Sequence, residues 1–272
     1  MHIKRVCGLY FSPTGGTEEI TRLIAGELAR HLERELFFVD FTRPENRQAD
    51  HVFTAEDLVV VATPVYAGRI PNKILPDFSA HVLGCGSTPA VPLCVFGNRS
   101  FDEALRELTL LLEGNGFLPA GAAAFVCRHA FSDQVGAGRP GPADRAQMAD
   151  FAAKVAEKLS GGGPLAPLPI DRGAIGPYYT PLKTDGTPAR FLKAKPITDT
   201  GACTRCGLCA QLCPVHSIDG ESMEAIGLCI KCQACIRRCP SHAKHFTDPD
   251  FLSHRAMLEE HYTRPAENVT IL

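Results

Sequence analysis

Cys203-x-x-Cys206-x-x-Cys209-x-x-x-Cys213-Pro214 returns twenty-six positions later as Cys229-x-x-Cys232-x-x-Cys235-x-x-x-Cys239-Pro240. The two runs hold eight of the chain's 12 cysteines, all between Gly201 and Pro240. Soft thiolates suit iron–sulfur cubes. Three cysteines at steps of three on a tight loop can reach three corners of one cube, and the proline after the fourth stops a helix and fixes the turn. Structural zinc is the alternative, but zinc takes four ligands, usually as paired C-x-x-C units. A third cysteine plus x-x-x-C-P, occurring twice, does not match that pattern. The stretch therefore reads as a small module built around two iron–sulfur cubes, its halves related by an internal repeat.

The spacing resembles that of bacterial ferredoxins with two [4Fe–4S] clusters, in which the fourth cysteine of each run ligates the other cluster. The resemblance implies one cluster on Cys203, Cys206, Cys209 and Cys239, and a second on Cys213, Cys229, Cys232 and Cys235. His216 and His242 follow the two Cys-Pro pairs at equivalent places. They read either as exposed loop histidines or as groups that make a cluster potential pH-dependent. Side-chain charges from Thr198 to Asp248 balance, so partner docking is expected to be steered mainly by the clusters' own charge.

Upstream, short apolar runs alternate with helix-period segments, the signature of a parallel sheet covered on both faces. Strands are expected at Lys4–Phe11, Glu35–Phe41, Leu58–Ala62, Val91–Gly97 and Leu118–Phe125. Helices are expected at Thr17–His31, Asn72–Val82, Phe101–Glu113 and Pro142–Leu159. This predicts an α/β doubly wound parallel five-stranded sheet of order 2-1-3-4-5, with its ligand beyond the carboxyl ends of the strands.

At the first such end lies Ser12-Pro13-Thr14-Gly15-Gly16-Thr17, between a strand and a helix amino terminus. Its hydroxyls, small glycines, backbone N–H groups and helix dipole suit a phosphate. No lysine follows as in a Walker A loop, which argues against a nucleoside triphosphate. The plainer reading is an unliganded loop capped by Thr17. After the third and fourth strands come Thr63-Pro64-Val65-Tyr66-Ala67-Gly68-Arg69 and Gly97-Asn98-Arg99-Ser100-Phe101. Tyr66 or Phe101 offers a ring for stacking on a flat ligand, and the residues alone do not choose between them. Gly68 and Gly97 could let a peptide group turn toward ring nitrogens, and Arg69 and Arg99 could bring positive charge.

The 12–17 loop looks like the phosphate loop of flavodoxins, which bind FMN. Together with the 64–71 and 97–102 segments, Tyr178-Tyr179, Phe191-Leu192-Lys193 and Phe251-Leu252-Ser253-His254, it resembles flavodoxin–ferredoxin fusion proteins of anaerobes. That resemblance implies a flavodoxin-like FMN domain, a carboxyl-terminal α+β ferredoxin-like domain, two [4Fe–4S] clusters and an electron-transfer role. The expected divisions are 1–160 for the FMN domain, 161–197 for a linker, 198–248 for the cluster domain and 249–272 for a helix and tail. The Ser160–Pro169 stretch of glycine and proline marks the first boundary. Tyr178, Tyr179 and Phe191 are expected to pack on one domain or the other. The tail Asn268–Leu272 has no expected role.

A net charge of −2 argues against nucleic acid or an anionic membrane surface as the main partner. No apolar run is long enough to span a bilayer, and thiolates on iron suit a reducing, cytoplasmic setting. Cys7, Cys94 and Cys127 fall in or beside strand runs and read as core residues; Cys85 reads as exposed. Three functions stay open. One is electron transfer with redox partner proteins, ferredoxin-type donors or acceptors, in which clusters face the flavin of their own chain or of a homodimer partner. The second is reduction of a small substrate, a quinone or nitro compound, with His129 or Tyr66 as proton donor. The third is a cluster-based redox sensor.

Overall fold

The protein is described by a computed structural model covering residues 2–272; Met1 lies outside the described residues. The chain begins with β1 (Arg5–Tyr10), α1 (Gly16–Leu32), β2 (Glu35–Asp40), a single turn α2 (Pro44–Arg47) and β3 (His51–Val52). It continues through β4 (Asp57–Pro64), α3 (Leu75–His81), β5 (Val82–Leu83), β6 (Thr88–Phe96) and α4 (Ala104–Gly114). Then come β7 (Phe117–Pro119), β8 (Ala122–Val126) and α5 (Pro142–Ser160). The cysteine region holds β9 (Ile197–Thr198), α6 (Leu208–Gln211), α7 (Ala234–Arg237) and β10 (Lys244–His245), followed by α8 (Pro249–His261) and β11 (Val269–Ile271).

Strands β2-β1-β4-β6-β8 lie side by side and parallel, which is the doubly wound 2-1-3-4-5 order. Leu58-Val59-Val60-Val61-Ala62 and Ala122-Ala123-Ala124-Phe125-Val126 are fully buried because helices cover both faces. On one face α1 and α5 supply Ile20, Ile24, Leu28, Phe151 and Val155; on the other α3 and α4 supply Phe78, Leu105, Leu108 and Leu112.

The expected five-stranded sheet is in fact seven-stranded. The single apolar run Leu118–Phe125 splits into β7 and β8, which both pair with β6. Between them a Cβ on Gly121 would stand 2.9 Å from Val155 Cγ2 and 3.1 Å from Ile271 O, so glycine is required there. The other addition is the tail: β11 runs antiparallel to β8, with Thr270 opposite Ala123. Three residues carry too little periodicity to announce a strand. Asn268 anchors it, its Oδ1 accepting from Val126 N at 2.9 Å and its Nδ2 donating to Asp144 Oδ1 at 2.7 Å.

From Gly161 to Pro196 the chain has no helix and, apart from a Leu182–Pro188 bridge, no strand pairing. It is nonetheless packed. Leu168 joins the α3/α4-side core, Tyr178 Oη donates to Ile70 O at 2.9 Å and Phe191 stacks on His254. The cysteine region follows its own repeat. Left-handed φ values recur at Arg205 and Lys231 (54° and 56°), Gly207 and Gln233 (75° and 68°) and His216 and His242 (48° and 53°). Five of these six residues are not glycine, and non-glycine residues held at positive φ in matching places mark a backbone shaped for a purpose.

Candidate functional site

Two cavities of the cysteine region are each lined by three cysteines of one run and the fourth cysteine of the other. Cys213, Cys229, Cys232 and Cys235 line one, with Ser217, Ile230 and Phe246 among its walls. Cys203, Cys206, Cys209 and Cys239 line the other, together with Met223 and Lys244. Among the described residues no set of three or more His, Cys, Asp or Glu converges closely enough for one metal ion. The thiols instead ring spaces that suit a larger group. Backbone donors already point at their sulfurs: Ser217 N–H at Cys213 Sγ (3.2 Å) and Ala243 N–H at Cys239 Sγ (3.3 Å). Burial pushes the free Cys229 and Cys232 thiols upward and Cys235 up to about 12. Such groups become thiolates only if a cation replaces the lost hydration.

The two cavities differ in position. Cys206 is exposed, while Cys213 and Cys232 are buried. Ile230, between Cys229 and Cys232, packs into the same apolar cluster as Val65 and Phe101 on the sheet's rim. Tyr66 lies beside this inner cavity: burial raises its hydroxyl pKa, and the Cys232 and Cys229 thiols raise it further. The docking is fixed by arginines. Arg47, buried, donates to Pro214 O at 2.5 Å, and Arg237 Nε donates to Ala130 O at 2.9 Å. The inner cavity and the rim loops therefore face each other within one chain.

At the 12–17 loop, α1 is capped by Gly15 (φ 96°) and not by Thr17. Only glycine adopts that backbone without strain. Ser12, buried, accepts from Glu18 N at 2.8 Å, and its own N–H donates to Thr42 Oγ1 at 2.7 Å. Glu19 N is taken by Gly15 O at 3.0 Å. Gly16 and Thr17 sit in the first turn, where N–H groups have no intrahelical partner. Thr14 is half-buried beside them. Gly16 lies against Cys127, whose Sγ would stand 2.6 Å from an added Cβ. Cys127 thus sits half-buried beneath this loop, while Cys7 and Cys94 are fully buried in their strands. The loop also receives a residue the sequence did not flag: Arg238 Nη2 would stand 3.0 Å from a Cβ on Gly15. The available signal was the Arg237-Arg238 pair directly before Cys239.

The other two loops meet each other at the carboxyl ends of β4 and β6. Thr63 is buried and Pro64 ends β4; Val65 N–H donates to Val95 O at 2.9 Å. Tyr66 and Arg69 close a tight turn through Ala67 (φ 48°) and Gly68 (φ 76°). Gly68 O accepts from Glu103 N at 2.9 Å, which joins this turn to the 97–102 loop. Gly97 backs onto His129, whose Cδ2 would stand 2.4 Å from an added Cβ. The Phe101 ring turns toward Phe96, centroids 5.4 Å apart.

Three expected contributors have other commitments. Asn98 spends its amide on the tail, donating to Tyr262 O (2.8 Å) and Arg264 O (3.0 Å) and accepting from Ala266 N (2.9 Å). Arg99 pairs with Asp102 and lies 4.0 Å from the Tyr179 ring centroid. Arg69 pairs with Glu107 and donates to Gly176 O at 2.6 Å. Both guanidinium charges are thus offset by a carboxylate. His129 is held neutral: burial first, then His254, Arg99 and Arg237, lowers its pKa to about 3. Its Nδ1 accepts from Phe131 N at 3.1 Å, which places any ring proton on Nε2.

Residues 196–219 match the 4Fe-4S binding domain family, which indicates at least one such cluster. No curated protein matches the sequence. Among solved structures, rubredoxin oxygen:oxidoreductase from the anaerobe Desulfovibrio gigas is similar at 18% identity and a TM-score of 0.40. The match covers 59% of this chain and 37% of that one. A flavodoxin from the domain Archaea is similar at 13% identity and a TM-score of 0.39, covering 57% of this chain and 99% of that one. A Streptococcus pneumoniae TIGR4 flavodoxin gives 18% identity and a TM-score of 0.39, with coverages of 58% and 99%. The chain joins a doubly wound sheet of flavodoxin-type strand order to a region that carries a 4Fe-4S binding domain.

Proposed function

We propose that this chain is an electron-transfer iron–sulfur flavoprotein holding two [4Fe–4S] clusters and one FMN. Cys213, Cys229, Cys232 and Cys235 hold the inner cluster, and Cys203, Cys206, Cys209 and Cys239 the outer one. The observation that carries the reading is the placement of the inner cavity: Ile230, between Cys229 and Cys232, packs on the same apolar cluster as Val65 and Phe101 of the rim loops, and Arg47 donates to Pro214 O at 2.5 Å. The cluster module is thereby docked on the rim where the sheet's ligand is expected.

The bound groups would supply one-electron relays at the clusters and a one- or two-electron acceptor at the flavin. The chain's own residues hold and shield them. The Gly16 and Thr17 N–H groups, the Ser12 and Thr14 hydroxyls and Arg238 receive the phosphate. Tyr66 is the stacking ring, since Phe101 is turned toward Phe96. Pro64, Val65, Gly68 and Gly97 shape the ring's edge, while Asn98, Arg99 and Thr63 fix the loops that carry it. Ile230 and Phe246 exclude water from the inner cavity, which strengthens electrostatic interactions there. The exposed Cys206 side is where a soluble redox partner meets the chain. Among the described residues no helix is long and apolar enough to cross a membrane. Burial lowers the His129 pKa to about 3, so it is not a charged proton donor near neutrality, and a small-substrate reductase would have to draw its proton from Tyr66.

Iron and flavin analysis with an anaerobic dithionite titration tests this. The expected result is about eight iron atoms per chain, on the four-iron count, one FMN, and flavin bleaching that follows cluster reduction. A flavin that cannot be reduced through the clusters overturns the relay.

A further inference from the structure

Ser217 breaks the symmetry of the two cysteine runs. It is 2% exposed, and its Oγ is the one buried side-chain nitrogen or oxygen among the described residues without a hydrogen-bond partner. Ser217 lines the inner cavity, and its N–H donates to Cys213 Sγ at 3.2 Å. The position twenty-six residues on is Ala243, 1% exposed, whose N–H donates to Cys239 Sγ at 3.3 Å. The halves share the backbone donor, but only the inner one adds a hydroxyl. Space for it is kept by Gly227, where a Cβ would stand 3.2 Å from Ser217 Oγ.

A buried hydroxyl with no partner is destabilising, so its persistence calls for an acceptor. The cavity it lines is ringed by sulfur. We propose that the Ser217 hydroxyl donates a hydrogen bond to a sulfur of the inner cluster and raises that cluster's reduction potential. The proposal rests on the two-cluster reading given above. Reduction adds one electron, whose charge spreads over the sulfurs, and a fixed O–H dipole stabilises the reduced form more than the oxidised one. No atom is transferred; the electron comes from the partner that reduces the cluster. Ser217 acts through the cluster sulfur and is a tuning residue.

The test is voltammetry and EPR-monitored titration of the intact holoprotein as wild type, Ser217→Ala and Ala243→Ser, with iron counted in each. Ser217→Ala is expected to disfavour reduction of one cluster roughly tenfold, about 59 mV for a one-electron couple, leaving the other in place. Ala243→Ser is expected to raise the other cluster's potential. Full iron with both potentials unmoved in Ser217→Ala overturns the proposal. If Ser217→Ala loses iron, Ala243→Ser decides: a rise in one potential supports hydroxyl tuning at this position, and no change overturns it. A wild type with one cluster would instead sink the two-cluster reading, so the two failures are distinguishable.

Discussion

Replacing Arg238 by alanine tests whether the cluster module takes part in holding the flavin. Arg238 Nη2 would lie 3.0 Å from a Cβ on Gly15, so its guanidinium hangs over the 12–17 loop proposed to hold the phosphate. A charge-assisted hydrogen bond contributes roughly 1.5–3 kcal/mol net. Arg238 is exposed, and solvent and salt screen its charge, so its contribution lies at or below the lower end of that range. A loss of about 1 kcal/mol weakens FMN binding about 5-fold. The assay is flavin-fluorescence titration of flavin-stripped protein with FMN and, separately, with riboflavin, which lacks the phosphate. Arg238→Ala is expected to weaken FMN and leave riboflavin unchanged, and the FMN effect should shrink at higher salt. Arg238→Lys should recover part of it, as a point charge without the planar fork. Equal losses for both flavins would show that the substitution loosens the domain contact. Unchanged FMN affinity would refute the assignment outright.

Asn98→Ala removes three hydrogen bonds to the tail. At about 1 kcal/mol each it should cost roughly 2–3 kcal/mol in urea unfolding and speed amide exchange in β11; unaltered exchange there would count against the tail as a structural strap. Cys85 is exposed, and hydrogen bonds, first from Ser87 and then from Thr88, lower its thiol to about 7. Iodoacetamide with peptide mapping should therefore mark Cys85 first, with a half-maximal rate near pH 7, and an inflection near 9 would contradict the local hydrogen bonding. His129 titrates at about 3 when folded but near 6.5 unfolded. Between those values the unfolded chain binds the extra proton, so this residue removes stability as pH falls below about 6.5. His129→Gln should lose less stability than wild type between pH 7 and 5, and equal losses would show that His129 is not buried neutral.

The sequence told the cysteine module and the doubly wound sheet apart because their signals are local. Thiol spacing, a proline after each fourth cysteine and two-faced apolar strands each follow from a few neighbouring residues. What it did not show depends on residues far apart in the chain. Three residues of β11 become a strand only because Ala122–Ala124 offers an unpaired edge. Asn98 resembles a ligand-loop residue until the 262–266 segment is folded over it. Arg69 and Arg99 read as free charges until Glu107 and Asp102 are placed beside them. Thr17 looks like a cap by residue type, yet the turn needs a left-handed residue, which Gly15 supplies. Arg238 and Ser217 were the opposite case: ordinary side chains whose positions acquire meaning only once the module docks and its cavities form.

The central claim is that electrons pass from the clusters to the flavin inside one polypeptide. Anaerobic stopped-flow mixing of the holoprotein with less than one equivalent of a one-electron donor tests it most directly. Flavin absorbance near 450 nm (roughly where oxidised flavins absorb) would be followed across a tenfold dilution series. The account predicts a first-order flavin-reduction phase whose rate is the same at every protein concentration and which disappears in Cys232→Ala. A rate that scales with protein concentration, or one that survives loss of the inner cluster, would contradict it.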